Sequence, residues 1–191
     1  MGAPALHVGL TTRKFLQGDS LCDWRDAKTH ALITTIWYPV DVNATESQQW
    51  VGAPTNPFSD AGQGSRDAKL SGSPKRFPLI LLSHGSGGSA LQIAWLGTEP
   101  AAHGYIAVVV NHPSNNSLEP YRLQGFTLWW ERALDLNRAM DAILADSDLH
   151  RESGRSVNLR CALRCRGWFW SNSCPRRTTR TLQTGYDRDL R

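Results

Sequence analysis

Residues 77–88 read FPLILLSHGSGG, and this stretch decides the fold. Its apolar run at residues 79–82 lies between a proline and the Ser83-His84-Gly85 turn, which predicts a buried strand of a parallel sheet. The glycines that follow allow a sharp turn whose backbone N–H groups face open space. Such donors at the carboxyl end of a strand suit a negatively charged oxygen. A plain strand-to-helix turn is the alternative, and the patterns of phosphate-binding loops are absent from this stretch.

A second apolar run, YIAVVV at residues 105–110, predicts a neighbouring strand. Residues 90–103 between the two runs have helical character and end at Gly104, a favourable residue after a helix. Pro100 lies inside that segment and is expected to kink or split the helix. Strand, helix and strand form one βαβ unit, expected to be right-handed, so the sequence predicts an α/β fold.

Upstream of this unit, residues 8–16 predict an edge strand and residues 31–38 (ALITTIWY) predict a second strand from their β-branched and aromatic side chains. Residues 42–75 are rich in Gly, Ser, Pro and Asn, and we expect a long surface excursion that is partly disordered. The polar residues 111–125 predict a loop that lines a pocket, or a plain connection.

A helix is predicted over residues 127–145 because apolar side chains recur there at helical spacing. Thr127 is its expected N-cap. The predicted core-facing side chains are Trp129, Ala133, Leu136, Met140, Ile143 and Leu144.

The charge of the chain is divided unevenly along its length. Residues 1–150 hold 11 Lys and Arg against 14 Asp and Glu, a net charge of −3. Residues 151–191 hold ten Arg, no Lys and three acidic residues, a net charge of +7, together with three of the four cysteines. We therefore interpret residues 1–150 as one domain and residues 151–191 as a poorly ordered tail of different origin, favouring translation out of frame.

Other interpretations of the tail remain open. Its Arg residues together with aromatic residues could contact nucleic acid, although no helix or stripe orders them. Its cysteines could bind zinc, although their spacing is a weak match to known sites. The residues concerned are Trp168, Phe169 and Trp170 for nucleic acid, and Cys161, Cys165 and Cys174 for zinc.

No run of eighteen apolar residues occurs, so no membrane span is expected. The first residues lack the charged-then-apolar order of a secretory signal, which predicts a cytoplasmic protein unless a start upstream of Met1 was missed.

Taken together, the motifs resemble α/β-hydrolases of the platelet-activating-factor acetylhydrolase and dienelactone-hydrolase-like group. The resemblance covers only the N-terminal part of that fold, over residues 8–150. The matching pieces are Ile36-Trp37-Tyr38-Pro39, residues 77–88, His103-Gly104-Tyr105, Asn111-His112-Pro113, and the helix from Arg132 through Asp135 to Leu144.

This resemblance implies an incomplete α/β-hydrolase sheet and a carboxylic-ester hydrolase that uses a Ser-His-Asp triad and no cofactor or metal. The implied substrate is a small ester or a lipid: a short-acyl ester, the acetyl ester of a phospholipid, or a lactone. The backbone N–H groups of Ser86 and Gly87 are the expected oxyanion-hole donors, and His84 and His112 are expected to line the pocket.

The sequence departs from the family after residue 150. No Gly-x-Ser-x-Gly elbow follows, and no histidine follows His150. Ser83, Ser86 and Ser89 lie near His84 in sequence, but a nucleophile needs a base within reach and a strained, exposed turn. We therefore predict that this chain holds no catalytic residue, is inactive alone, and exposes apolar surface that lowers its solubility.

Overall fold

A computed structural model of the chain describes residues 6–16, 31–53, 55–72 and 77–146. Strands β1, β2, β5 and β6 coincide with β-branched or apolar runs, whereas β3 and β4 are largely polar. The strands are β1 (His7–Leu16), β2 (Ala31–Val40), β3 (Ser47–Ala53), β4 (Asn56–Arg66), β5 (Leu79–Ser83) and β6 (Ile106–Asn111). A 3-10 helix (Ala90–Ile93) precedes the helices α1 (Ala94–Ala102), α2 (Leu123–Thr127) and α3 (Glu131–Ala145).

The six strands form one sheet in the order β3-β4-β1-β2-β6-β5. Strands β5 and β6 are parallel, with Leu79 opposite Ile106 and Ser83 opposite Val110, which confirms the predicted strand-helix-strand unit. Strand β2 pairs antiparallel with both β1 and β6. Strand β5 lies at one edge of the described sheet, so its carboxyl end is open on one side.

Both faces of the sheet are covered at β6, as the apolar run in that strand predicts. Val108 of β6 packs with Ile143 of α3 in one core cluster. Ala107 and Val109, which point to the other face, pack with Ala94 of α1 in a second cluster. The alternation of side chains along β6 therefore places α1 and α3 on opposite faces.

Two predictions about the first half of the sheet are wrong. Strand β1 is not an edge strand, because it pairs with β2 on one side and with β4 on the other, where Gly9 lies opposite Ser65. Residues 42–75 are not a surface excursion throughout, because β3 and β4 form an antiparallel pair within them. Their polar and Gly-rich composition gives little strand propensity, and backbone pairing of β3 with β4 and of β4 with β1 outweighs that weak preference.

The predicted helix over residues 90–103 divides into the 3-10 helix and α1 at Ile93, whose backbone leaves the helical region (φ −114, ψ 26). The break does not fall at Pro100, which is accommodated inside α1. Gly104 follows the helix with φ +83, the left-handed conformation that glycine adopts without a Cβ clash, as predicted.

The helix predicted to begin at Thr127 begins instead at Glu131. Thr127 ends the short helix α2, where its Oγ1 donates to the carbonyl of Leu123. Leu128 interrupts the two helices because its backbone (φ −95, ψ 54) is not helical.

The buried face of α3 also differs from the prediction. Trp129 and Ala133 are exposed: Trp129 precedes α3, and Ala133 lies off the stripe that faces the sheet. The buried stripe begins with two carboxyl groups and continues with apolar side chains. It consists of Glu131, Asp135, Ala139 and Ile143.

The tail, its cysteines and aromatic residues, and the strand expected after α3 lie outside the described residues. In the part of the chain that is described, no helix is long and apolar enough to cross a membrane.

Candidate active site

Three side chains meet where β5 and β6 reach the same edge of the sheet. Ser83 is the last residue of β5, His112 directly follows β6, and Asp135 lies on the buried stripe of α3. Ser83 Oγ lies 2.9 Å from His112 Nε2, and His112 Nδ1 lies 3.2 Å from Asp135 Oδ2. The fold therefore joins a hydroxyl, an imidazole and a carboxylate in one hydrogen-bonded chain.

The partners of His112 fix which of its ring nitrogens carries the proton. A carboxylate only accepts hydrogen bonds, so His112 Nδ1 donates to Asp135. In the neutral ring Nε2 is then an acceptor, and the Ser83 hydroxyl donates to it. This is the arrangement in which an imidazole can take the proton of a serine.

Burial differs along this chain of hydrogen bonds. The side chains of His112 and Asp135 are 1% and 0% exposed, whereas Ser83 is exposed. Arg138 Nη1 also contacts the carboxylate, 3.3 Å from Asp135 Oδ1. The imidazole and the carboxylate are thus held in the interior, and of the three groups only the Ser83 hydroxyl faces solvent.

A guanidinium group contacts the same hydroxyl. Arg132 Nη2 donates to Ser83 Oγ at 2.9 Å and also to the carbonyl oxygen of His84. Burial lowers the pKa of Arg132 from its ordinary value, while the nearby carboxylate of Asp135 opposes that shift. An arginine side chain stays protonated in proteins, so a cation lies beside the serine oxygen.

His84 lies under the turn that follows β5. Its Nδ1 donates to the Gly85 carbonyl oxygen at 2.7 Å, and its Nε2 accepts from the backbone N–H of His112 at 3.2 Å. Burial lowers the pKa of His84 from 6.5 to about 4, and the nearby charges of His112 and Arg132 add to that shift, although the bond to Gly85 opposes it. His84 is therefore neutral at pH 7 and joins the two strand ends through its ring.

Side chains from the next loop fix the glycine-rich turn. Gly87, with φ +68, donates its N–H to Asn115 Oδ1 at 2.7 Å, and Ser86 Oγ donates to the same oxygen at 3.3 Å. Asn115 is itself held by its Nδ2, which donates to the Gly125 carbonyl at 2.7 Å. Tyr121 donates its hydroxyl to the Gly87 carbonyl oxygen at 3.0 Å. The turn is therefore rigid, and the Gly87 N–H already has an acceptor.

The structure brings together both predicted pocket residues, since the ring centroids of His84 and His112 lie 5.2 Å apart. The oxyanion roles of Ser86 and Gly87 stay predictions. Sequence reasoning did not assign chemistry to Asp135 or Arg132. A usable signal was present, because Asp135 shares the 4-residue spacing of Ala139 and Ile143, and a carboxylate on an apolar stripe needs a buried partner.

Among the described residues, no group of three or more His, Cys, Asp or Glu side chains is arranged to hold a metal ion.

No known family model matches the sequence, and no curated protein matches it. A solved structure, the ferulic acid esterase of Streptomyces cinnamoneus, is similar with a TM-score of 0.54 and 24% sequence identity. The match covers 83% of this chain and 51% of the esterase, so the chain spans about half the length of that protein. With its mixed six-stranded sheet and helices, the chain has an α/β-hydrolase-like fold.

Proposed function

We propose that this chain is a carboxylic-ester hydrolase in which Ser83 is the nucleophile, His112 the general base and Asp135 the group that orients the base. The observation that carries the proposal is the continuous hydrogen-bonded chain from the exposed Ser83 hydroxyl to the buried Asp135 carboxylate. Its position at the carboxyl edge of parallel strands, where open α/β folds bind ligands, supports the same function.

The reaction follows from the protonation of the three groups. As Ser83 Oγ attacks the ester carbonyl carbon, its proton passes to His112 Nε2, and the carbonyl π electrons move to oxygen. The Asp135 carboxylate stabilises the imidazolium that results. When the C–O bond to the leaving alcohol breaks, His112 returns the proton to that alcohol. Water then attacks the acyl-serine by the same route and releases the acid.

The substrate class is proposed from the shape of the site and from resemblance. Ser83 is exposed at the edge of the sheet, where a substrate can reach it, and the resemblance implies short-acyl esters, including acetyl esters of phospholipids, or lactones. The similar solved structure is named a ferulic acid esterase, which adds esters of an aromatic acid to the substrates worth testing.

The proposal is tested on the purified full chain with a fluorophosphonate probe and with p-nitrophenyl acetate. We expect the probe to label Ser83, identified by peptide mass spectrometry, and Ser83→Ala to abolish both labelling and ester hydrolysis. Ser117→Ala is the matched control, since Ser117 is exposed on the neighbouring loop and is not part of the hydrogen-bonded chain.

The sequence alone predicts the opposite result, an inactive chain, because the Gly-x-Ser-x-Gly elbow is missing. If the wild-type chain takes up no probe and hydrolyses no ester faster than Ser83→Ala, the proposed function is rejected and the prediction of inactivity stands.

A further inference from the structure

We infer that Arg132 is a catalytic residue of this site, the electrophile that stabilises negative charge on Ser83 Oγ and on the tetrahedral oxyanion. The inference rests on the proposed function. In this inference a side-chain cation stabilises the oxyanion, whereas the sequence analysis expected the backbone N–H groups of residues 86 and 87 to do so.

One of the two expected backbone donors, the Gly87 N–H, is already engaged. The Gly87 N–H donates to Asn115 Oδ1 at 2.7 Å, and that amide is held in turn by the Gly125 carbonyl. Freeing the Gly87 N–H would require Asn115 Oδ1 to give up a buried hydrogen bond, because Asn115 is 3% exposed. Such a rearrangement would cost stabilisation at the moment when the oxyanion needs a donor already in place.

Arg132 lies directly beside the atom that would attack the substrate. Its Nη2 lies 2.9 Å from Ser83 Oγ, the atom that bonds to the substrate, and the same nitrogen is anchored by the carbonyl of His84. The oxyanion is the former carbonyl oxygen on the carbon that becomes bonded to Oγ, so it forms close to this guanidinium. Within the described ranges, no acceptor occupies Arg132 Nε or Nη1, so these donors can turn toward the new charge.

The surroundings of Arg132 strengthen the effect of its charge. Arg132 is half-buried, and charges interact more strongly where water is partly excluded. The carboxylate of Asp135 lies close enough to affect Arg132, yet it is committed to His112 and Arg138. Among the described residues, no carboxylate forms a short-range ion pair with Arg132. Its positive charge therefore remains available beside Ser83.

In the reaction this guanidinium acts twice while its own protons stay in place. As the Ser83 proton moves to His112, Arg132 stabilises the charge that develops on Oγ. Once the Oγ–carbon bond has formed and the carbonyl electron pair has moved to oxygen, it donates hydrogen bonds to that oxyanion. When the oxyanion collapses and the alcohol leaves, the carbonyl re-forms and the stabilised charge disappears.

The test compares Arg132→Gln, Arg132→Lys and the wild-type chain in fluorophosphonate labelling and in p-nitrophenyl acetate kinetics. Removal of one oxyanion donor lowers kcat by about 10² to 10³-fold in known enzymes. We expect Arg132→Gln to lower kcat and the labelling rate of Ser83 by about 10²-fold with KM nearly unchanged, and Arg132→Lys to restore part of the loss. Arg122→Gln, an exposed arginine outside the site, is the matched control and should match the wild type.

The outcomes separate this inference from the proposed function. If wild-type Ser83 is labelled and Arg132→Gln is labelled at the same rate, Arg132 is not catalytic although the function stands. A rise in KM alone would also overturn the inference, because it would assign Arg132 to substrate binding. If the wild-type chain is not labelled at Ser83, both ideas fall together. Circular dichroism of each variant shows whether a loss of activity comes from unfolding. If Arg132→Gln does not fold, Arg132→Lys takes its place in the same comparison with the wild type.

Discussion

The stability of this domain should fall as the pH is lowered toward 4, because His84 is held neutral in the folded state. Its Nε2 accepts the backbone N–H of His112, and its Nδ1 donates to the Gly85 carbonyl. Protonation of Nε2 would turn that acceptor into a donor facing another donor. The buried ring would also carry a charge away from water, so burial lowers its pKa to about 4 from 6.5.

The direction of the effect follows from proton linkage. The unfolded chain takes up a proton on His84 near pH 6.5, whereas the folded chain resists it until about pH 4. The contribution of neutral His84 to the free energy of unfolding is therefore complete above pH 6.5 and is lost as the pH falls to about 4. At about 1.4 kcal/mol per unit of pKa difference, the loss amounts to about 3 kcal/mol.

The measurement is urea unfolding followed by tryptophan fluorescence at pH 7 and pH 4, for the wild type and for His84→Gln. Glutamine cannot titrate, so the stability advantage of the wild type over the variant should shrink by about 3 kcal/mol between the two values. His103→Gln removes an exposed histidine and should follow the wild type at both values. An advantage that stays the same at pH 7 and pH 4 would refute the reasoning.

Two further changes test the packing and the hydrogen-bonded chain. Gly97→Ala should destabilise the fold by about 1 to 2 kcal/mol, because the added Cβ would lie 2.4 Å from ring atoms of the buried Trp37, and overpacking outweighs the better helix propensity of alanine. Thermal unfolding measures this, and Gly72→Ala, where nothing lies within 4 Å of the new Cβ, should be nearly neutral. Asp135→Asn should slow fluorophosphonate labelling of Ser83 by about 10² to 10⁴-fold, since an amide no longer fixes the His112 tautomer; labelling at the wild-type rate would remove Asp135 from the site.

The sequence correctly predicted those strands whose composition is compatible with only one kind of structure. The apolar runs that became β5 and β6 had to be buried on both faces, and that requirement alone gave a parallel pair covered by helices. The polar and Gly-rich composition of residues 42–75 does not indicate strands, so β3 and β4 were not predicted. These strands depend on pairing partners, β4 for β3 and β1 for β4, which local composition does not reveal.

The candidate site shows the same division between local and distant information. His84 and His112 could be predicted as neighbours because each follows a strand that ends at the same sheet edge. The helix face that carries Asp135 was not predicted, because the apolar pattern was read from Trp129 onward, whereas α3 begins at Glu131 and Trp129 lies outside it.

By itself, then, the sequence determined the α/β character of the chain, since buried apolar runs leave few other ways to satisfy their backbone hydrogen bonds. Only the tertiary structure decided that Ser83, His112 and Asp135 meet, with Arg132 beside them. Hydrogen bonds of about 3 Å between residues far apart in sequence depend on strand register and helix rotation together. Both are set by packing across the whole sheet, and no local stretch of sequence encodes either one alone.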